Sequence, residues 1–153
     1  MEKYTSIGHK IAILNRYSQT YFSEALKEFD IHGGGQIRIL MTLAKNSNGV
    51  SQESLAKILM VDKASISRVI RPLISNGLIE RKTNPQDQRA YLIQLADSIQ
   101  DKIPFIFEKA RMWSQILTKG MSEQACAQLY ASLEILDTNS TSYLKGESLE
   151  KEE

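Results

Sequence analysis

The chain has 153 residues, 42% hydrophobic and 24% charged, with a formal net charge of +1. These values exclude disorder over the whole length, and a charge so near zero excludes any function resting on a uniformly basic surface. One cysteine, Cys126, excludes an internal disulfide framework. The N-terminus lacks the apolar core of a signal peptide, and no apolar run approaches the roughly 20 residues of a membrane-spanning helix, so a cytoplasmic protein without membrane attachment is expected.

Apolar residues at helical spacing (Ile7, Ile11, Leu14, Tyr17, Tyr21, Ala25, Leu26, Phe29) predict a long amphipathic helix over residues 6–29. The stretch DIHGGG, residues 30–35, breaks it. Its three glycines read as a flexible connector and not a phosphate loop, because no strand leads in and no G-K-[ST] follows. A second helix is expected from about Gln36 to Lys45, with Ile37, Leu40, Met41 and Ala44 on one side.

Ser51 is the predicted N-cap of a short third helix, with Glu53 in its first turn and Leu55, Ile58 and Leu59 inward. Asp62 caps the next helix, Lys63 to about Asn76, whose Ile66, Val69, Ile70, Leu73 and Ile74 recur on one face. Gly77 stops it, and Pro72 is expected to bend or loosen its second half. Leu78–Lys82 and Ala90–Leu95 read as two short strands joined by a polar turn. A long helix is expected from Ala96 to about Lys119, with Pro104 starting or kinking it. After Gly120, Ser122 starts a last helix with Ala125, Leu129, Leu133 and Leu136 inward. Residues 146–153 form a charged tail expected to fray.

Two short helices joined by a tight turn, then a hairpin, make a winged helix-turn-helix. The fold class is mainly α with a small β-hairpin wing. In this architecture the first helix braces across a DNA backbone and the second enters the major groove with its N-terminal residues toward the bases. The outward face of that second helix carries Lys63, Ala64, Ser65, Ser67, Arg68 and Arg71. Small residues permit close approach, serine contacts bases or phosphates, and arginine grips guanine bidentately. Residues 62–89 hold six basic and three acidic residues, a local charge of +3 in a chain of net +1. On the hairpin, Lys82, Gln88 and Arg89 are further candidate DNA contacts; Arg89 at the tip is placed to reach the minor groove, whose negative potential favours arginine. Asp87 is the candidate group that orients the Arg89 guanidinium.

The stretch from Ser51 to Leu95 resembles the MarR family of bacterial transcriptional regulators. Asp62, Lys63, Ser65, Ile66, Ser67 and Arg68 are similar to the family's recognition-helix pattern. Gly77, Leu78, Ile79 and Arg81 are similar to its G-L-I-x-R, and Asp87 and Arg89 to the D-x-R of its wing. The resemblance runs from the N-terminal helix to the last one, and departs after the wing, where LADSIQDKIPF replaces the commoner L-T and Gly-containing helix start. It implies one domain over residues 1–145: a winged lobe over 30–95, with N-terminal (1–29) and C-terminal (96–145) helices that interlock into a homodimer. The implied function is sequence-specific repression from a pseudo-palindromic operator, with release by a small aromatic or phenolic ligand. Arg16, Tyr17, Tyr21 and Arg38 are candidate ligand residues by location. The alternative is a protein-interaction module on the same scaffold.

No catalytic arrangement, cofactor motif or metal-ligand spacing is present. His9 and His32 are isolated, Cys126 reads as a buried structural thiol, and Trp113 as core or dimer interface.

Overall fold

The structure, a computed structural model, describes residues 6–145; the charged tail at 146–153 lies outside the described residues. The described residues divide into two compact units, with the boundary between Trp113 and Ser114.

In the first unit, α1 (Ile7–Ala25) starts where the Ser6 hydroxyl accepts from the His9 N–H, and a 3-10 turn (Lys27–Phe29) ends the segment read as one helix. Asp30 follows in the left-handed region, φ 55°. α2 (Gly34–Ala44) begins earlier than expected. Gly34 and Gly35 are its first residues and not a flexible connector. The cap comes from elsewhere: Gln19 of α1 accepts from the Gly34 N–H at 3.1 Å, while the buried Gln36 accepts from the N–H of His32, just ahead of the helix, at 2.6 Å. The first free donor of the helix is thus satisfied without a capping side chain at Gly33.

A strand the sequence did not reveal comes next. β1 (Val50–Ser51) pairs antiparallel with a strand some forty residues on, Val50 opposite Ile93 and Ser51 opposite Leu92. Gly49 makes this possible: its φ is +81°, and an added Cβ would meet Leu92 Cβ at 3.0 Å and the Ile93 carbonyl at 3.2 Å. Ser51 then caps α3 (Gln52–Leu59) as expected. Leu55, Ala56 and Leu59 are buried, but Ile58, expected inward, is 53% exposed. An eight-residue helix has only two turns to bury, and Leu55 and Leu59 occupy the inner stripe.

Asp62 caps α4 (Lys63–Ser75). Pro72 does not divide this helix. It removes one backbone donor, yet the final turn still closes through Asn76 N–H to the Pro72 carbonyl and Leu78 N–H to the Leu73 carbonyl. Ile66, Ile70 and Leu73 are fully buried and hold the helix on the core. β2 (Ile79–Asn84) and β3 (Asp87–Leu95) are longer than the sequence indicated, with a two-residue turn at Pro85 and Gln86. The sheet order is β1-β3-β2.

After the sheet, the helix expected from Ala96 onward is broken. A single turn, α5 (Asp97–Gln100), precedes α6 (Ile103–Leu117). Pro104, second in α6, sits where a missing N–H costs nothing, so it opens a helix and does not kink one. Trp113 stacks on Tyr21 with centroids 4.8 Å apart.

The second unit holds the end of α6, a turn with Gly120 at φ +85°, and α7 (Glu123–Leu144), capped by the Ser122 hydroxyl. None of the described residues of α7 is buried. Leu129 and Leu133, expected inward, are 39% and 45% exposed. Cys126 is half-buried, not the buried thiol anticipated.

Candidate nucleic-acid interface

The outward face of α4 follows from its cap. Asp62 uses both carboxylate oxygens on Ser65: one accepts the Ser65 backbone N–H at 2.8 Å, the other the Ser65 hydroxyl at 2.6 Å. These bonds, the hydroxyl first, hold the Asp62 carboxyl below the usual aspartate range. They fix the helix start, so Lys63 and Ala64 stand exposed in its first turn. Arg68 lies along the helix, its Nε donating to the Ala64 carbonyl at a long 3.4 Å, which leaves most of the guanidinium free. Arg71 is exposed one turn later. Ser67 is more constrained. Its hydroxyl donates to the Lys63 carbonyl at 2.8 Å and accepts from Gln52 Nε2 at 2.6 Å.

The wing presents its cations differently. Along β2, Glu80 ion-pairs with Lys82 at 3.0 Å and accepts from Gln94 at 2.9 Å, so Lys82 is partly neutralised. Both bonds, Lys82 first, pull the Glu80 carboxyl below its usual range. At the tip, Asn84 accepts from the Gln86 N–H and Asp87 from the Arg89 N–H, each at 3.0 Å. Asp87 therefore fixes the backbone of the turn and not the Arg89 guanidinium as expected. Gln88 and Arg89 are exposed beside it. Among the described residues, Lys63, Arg68, Arg71 and Arg89 form no ion pair.

The MarR-family profile matches residues 35–91, the winged region just described. YdgJ, an HTH-type transcriptional regulator of Bacillus subtilis, is 30% identical over 86 residues, covering 56% of this chain and 52% of that relative, about half its length. A MarR transcriptional regulator from Methanosarcina mazei is 31% identical, with a TM-score of 0.78 over 90% of this chain and 97% of that one. The chain belongs to the MarR family. It is a winged helix-turn-helix transcriptional regulator, and not an enzyme. A cysteine variant of MarR from Escherichia coli, solved in complex with operator DNA, is 25% identical, with a TM-score of 0.72 over 85% of this chain and 92% of that one.

In this MarR-family chain the four residues considered for a ligand lie in different surroundings. Arg16 stands 5.8 Å from the Tyr17 ring centroid, and both are exposed. Tyr21 is committed to packing: it stacks on Trp113, and its hydroxyl donates to the Lys109 carbonyl at 3.1 Å. Burial, then the nearby Glu108 charge, raises the Tyr21 pKa. Arg38 donates to the Leu59 carbonyl at 3.0 Å, satisfying the end of α3, and borders a small cleft with Val61, Ser65 and Val69.

Two residues escaped the sequence reading of the interface. Arg81 and Gln52 line an open groove with Ser67 and Arg71. Arg81 sits inside the family-like G-L-I-x-R, but nothing local indicates that a strand residue faces the helix. His32 is bound to Asp30 at 2.7 Å, and Asp30 also accepts from Asn76 at 2.6 Å. No helix among the described residues is long and apolar enough to cross a membrane.

Proposed function

We propose that this MarR-family regulator is a homodimeric, sequence-specific repressor of a pseudo-palindromic operator, acting in the cytoplasm and released by a small aromatic or phenolic ligand. Residues 30–95 are the DNA-binding lobe, and 1–29 with 96–145 the dimerisation helices. The observation that carries the DNA reading is a set of cations on two elements, Lys63, Arg68 and Arg71 on α4 and Arg89 on the wing, that form no ion pair among the described residues. Cations left without carboxylate partners are what a polyphosphate neutralises on binding.

In this reading Lys63, Ala64, Ser65, Ser67, Arg68 and Arg71 face the major groove. Lys82 and Gln88 track the backbone, and Arg89 enters the minor groove. The engaged hydroxyls of Ser65 and Ser67 favour acceptor roles, since each has spent its proton internally.

The dimer is supported by apolar surface in each unit. α1 leaves Ile7, Ile11, Leu14 and Tyr17 exposed, and α7 leaves Leu129, Tyr130, Leu133 and Ile135. Such surface is uncommon on a monomer, and two-fold pairing spaces two recognition helices by about one duplex turn. Arg16, Tyr17, Tyr21 and Arg38 remain the proposed effector residues.

Selection of bound duplexes from a random pool tests this reading. An enriched inverted repeat, with half-sites about 10 base pairs apart centre to centre, is the expected result. Failure to enrich any sequence, with and without aromatic carboxylates and phenols, would overturn it.

A further inference from the structure

The groove beside α4 poses an electrostatic question. It is lined by Gln52, the first residue of α3, by Ser67, Arg71 and Ile74 of α4, and by Arg81 of β2. Two arginines from different elements border one open cleft, and among the described residues neither forms an ion pair. Like charges gathered without a carboxylate repel each other unless an anion sits between them.

Strand alternation explains how Arg81 gets there. Residues on β2 alternate faces: Ile79 is buried on the core side, and Arg81, two residues on, lies opposite the buried Ile93. Glu80 and Lys82 fall on the other face, where they pair with each other. The acid adjacent to Arg81 in sequence is therefore turned away from it. On the far wall, Ser67 holds the Gln52 amide through one N–H at 2.6 Å, leaving the second N–H and the carbonyl oxygen of that amide uncommitted. Gln52 also stands in the first turn of α3, whose leading N–H groups carry the positive end of the helix dipole.

We infer that Gln52, Arg71 and Arg81 form a notch for a single backbone phosphate of the duplex, with Ser67 positioning the Gln52 amide. This rests on the DNA-binding reading and deepens it. It makes Arg71 a backbone contact that fixes register and not a base reader, and adds Arg81, which the sequence pattern of the outward helix face omits. Phosphate contacts position the protein and carry no sequence information, so specificity falls to residues earlier in α4.

The test uses the full chain and its selected duplex, with a shuffled duplex of equal length, at several salt concentrations. The variants are Arg71→Gln, Arg81→Gln and the double substitution. Both side chains are exposed, and unchanged thermal unfolding checks the fold. Each single variant is expected to weaken both duplexes by the same factor. The double variant is expected to reduce the log–log salt slope by about one per protomer, because one phosphate is lost. A slope change of about two per protomer would mean two separate phosphates and overturn the notch. A loss for Arg71→Gln confined to the selected duplex would return Arg71 to base reading and overturn it as well. Unchanged affinity and slope for Arg81→Gln would remove Arg81 from the interface and overturn it again. Wild-type protein that binds neither duplex would overturn the DNA reading itself, a result distinct from the other three.

Discussion

A carboxylate oxygen of Asp87 accepts a hydrogen bond from the backbone N–H of Arg89 at 3.0 Å. The aspartate thereby shapes the wing tip as an Asx turn and leaves the arginine head free for a partner. Asparagine offers the same acceptor without the charge. Asp87→Asn is therefore expected to keep near-normal DNA affinity, and Asp87→Ala to weaken binding by loosening the tip. Fluorescence anisotropy on the selected duplex measures both. Equal losses in the two variants would assign the role to charge instead of the turn.

Arg89 and Arg68 are expected to fail differently. Arg89→Ala should weaken binding while leaving oligomeric state and unfolding unchanged, because its side chain is exposed and forms no ion pair among the described residues. Arg68→Ala should cost about 1–3 kcal/mol of binding with relaxed preference at one base position, the signature of a base contact. Competition assays with single-base operator variants separate the two. A loss for Arg68→Ala that is equal on all sequences would place Arg68 on the phosphates.

The cap of α4 is pH-sensitive in a defined direction. Asp62 has its folded-state pKa lowered by the Ser65 hydroxyl and N–H. Its contribution to stability is thus complete above the ordinary aspartate range near about 4 and is lost as pH falls through the lower folded value. Asp62→Ala should unfold at a lower temperature than the parent at neutral pH, and the gap should close in acid. A gap independent of pH would rule out the ionised cap. Thermal scans across the acid range give the answer.

The core predicts a different magnitude. Leu73 of α4 is fully buried, and Leu73→Ala should destabilise by about 2–5 kcal/mol through lost transfer energy and a cavity. Urea unfolding followed by circular dichroism measures it. A cost under about 1 kcal/mol would mean the site collapses around the smaller side chain.

Exposed apolar residues of α7 give a test of the dimer. Leu129→Glu with Leu133→Glu should shift the protein toward monomer in sedimentation equilibrium while helical content stays close to the parent. Both residues are exposed in the single chain, so only an intermolecular contact makes the charges costly. An unchanged dimer would move the interface elsewhere.

Much of the molecule was legible from local chemistry. Ser51, Asp62 and Ser122 mark three helix starts because a short oxygen-bearing side chain reaches back to the first free N–H groups, an interaction within three residues. The inward face of α4 follows from a 3.6-residue period, and Gly77 ends the helix because its φ of +67° suits glycine. What the sequence left open depends on partners distant in the chain. Val50 and Ser51 become a strand only because β3 lies beside them some forty residues later. Gly34 and Gly35 open the helix where Gln19, fifteen residues earlier, supplies the cap that Gly33 lacks. Arg81 joins Arg71 in one groove because strand pairing turns Glu80 to the opposite face. Periodicity records which side of an element is apolar; tertiary packing alone decides which other element meets it, and so which charges end without a partner.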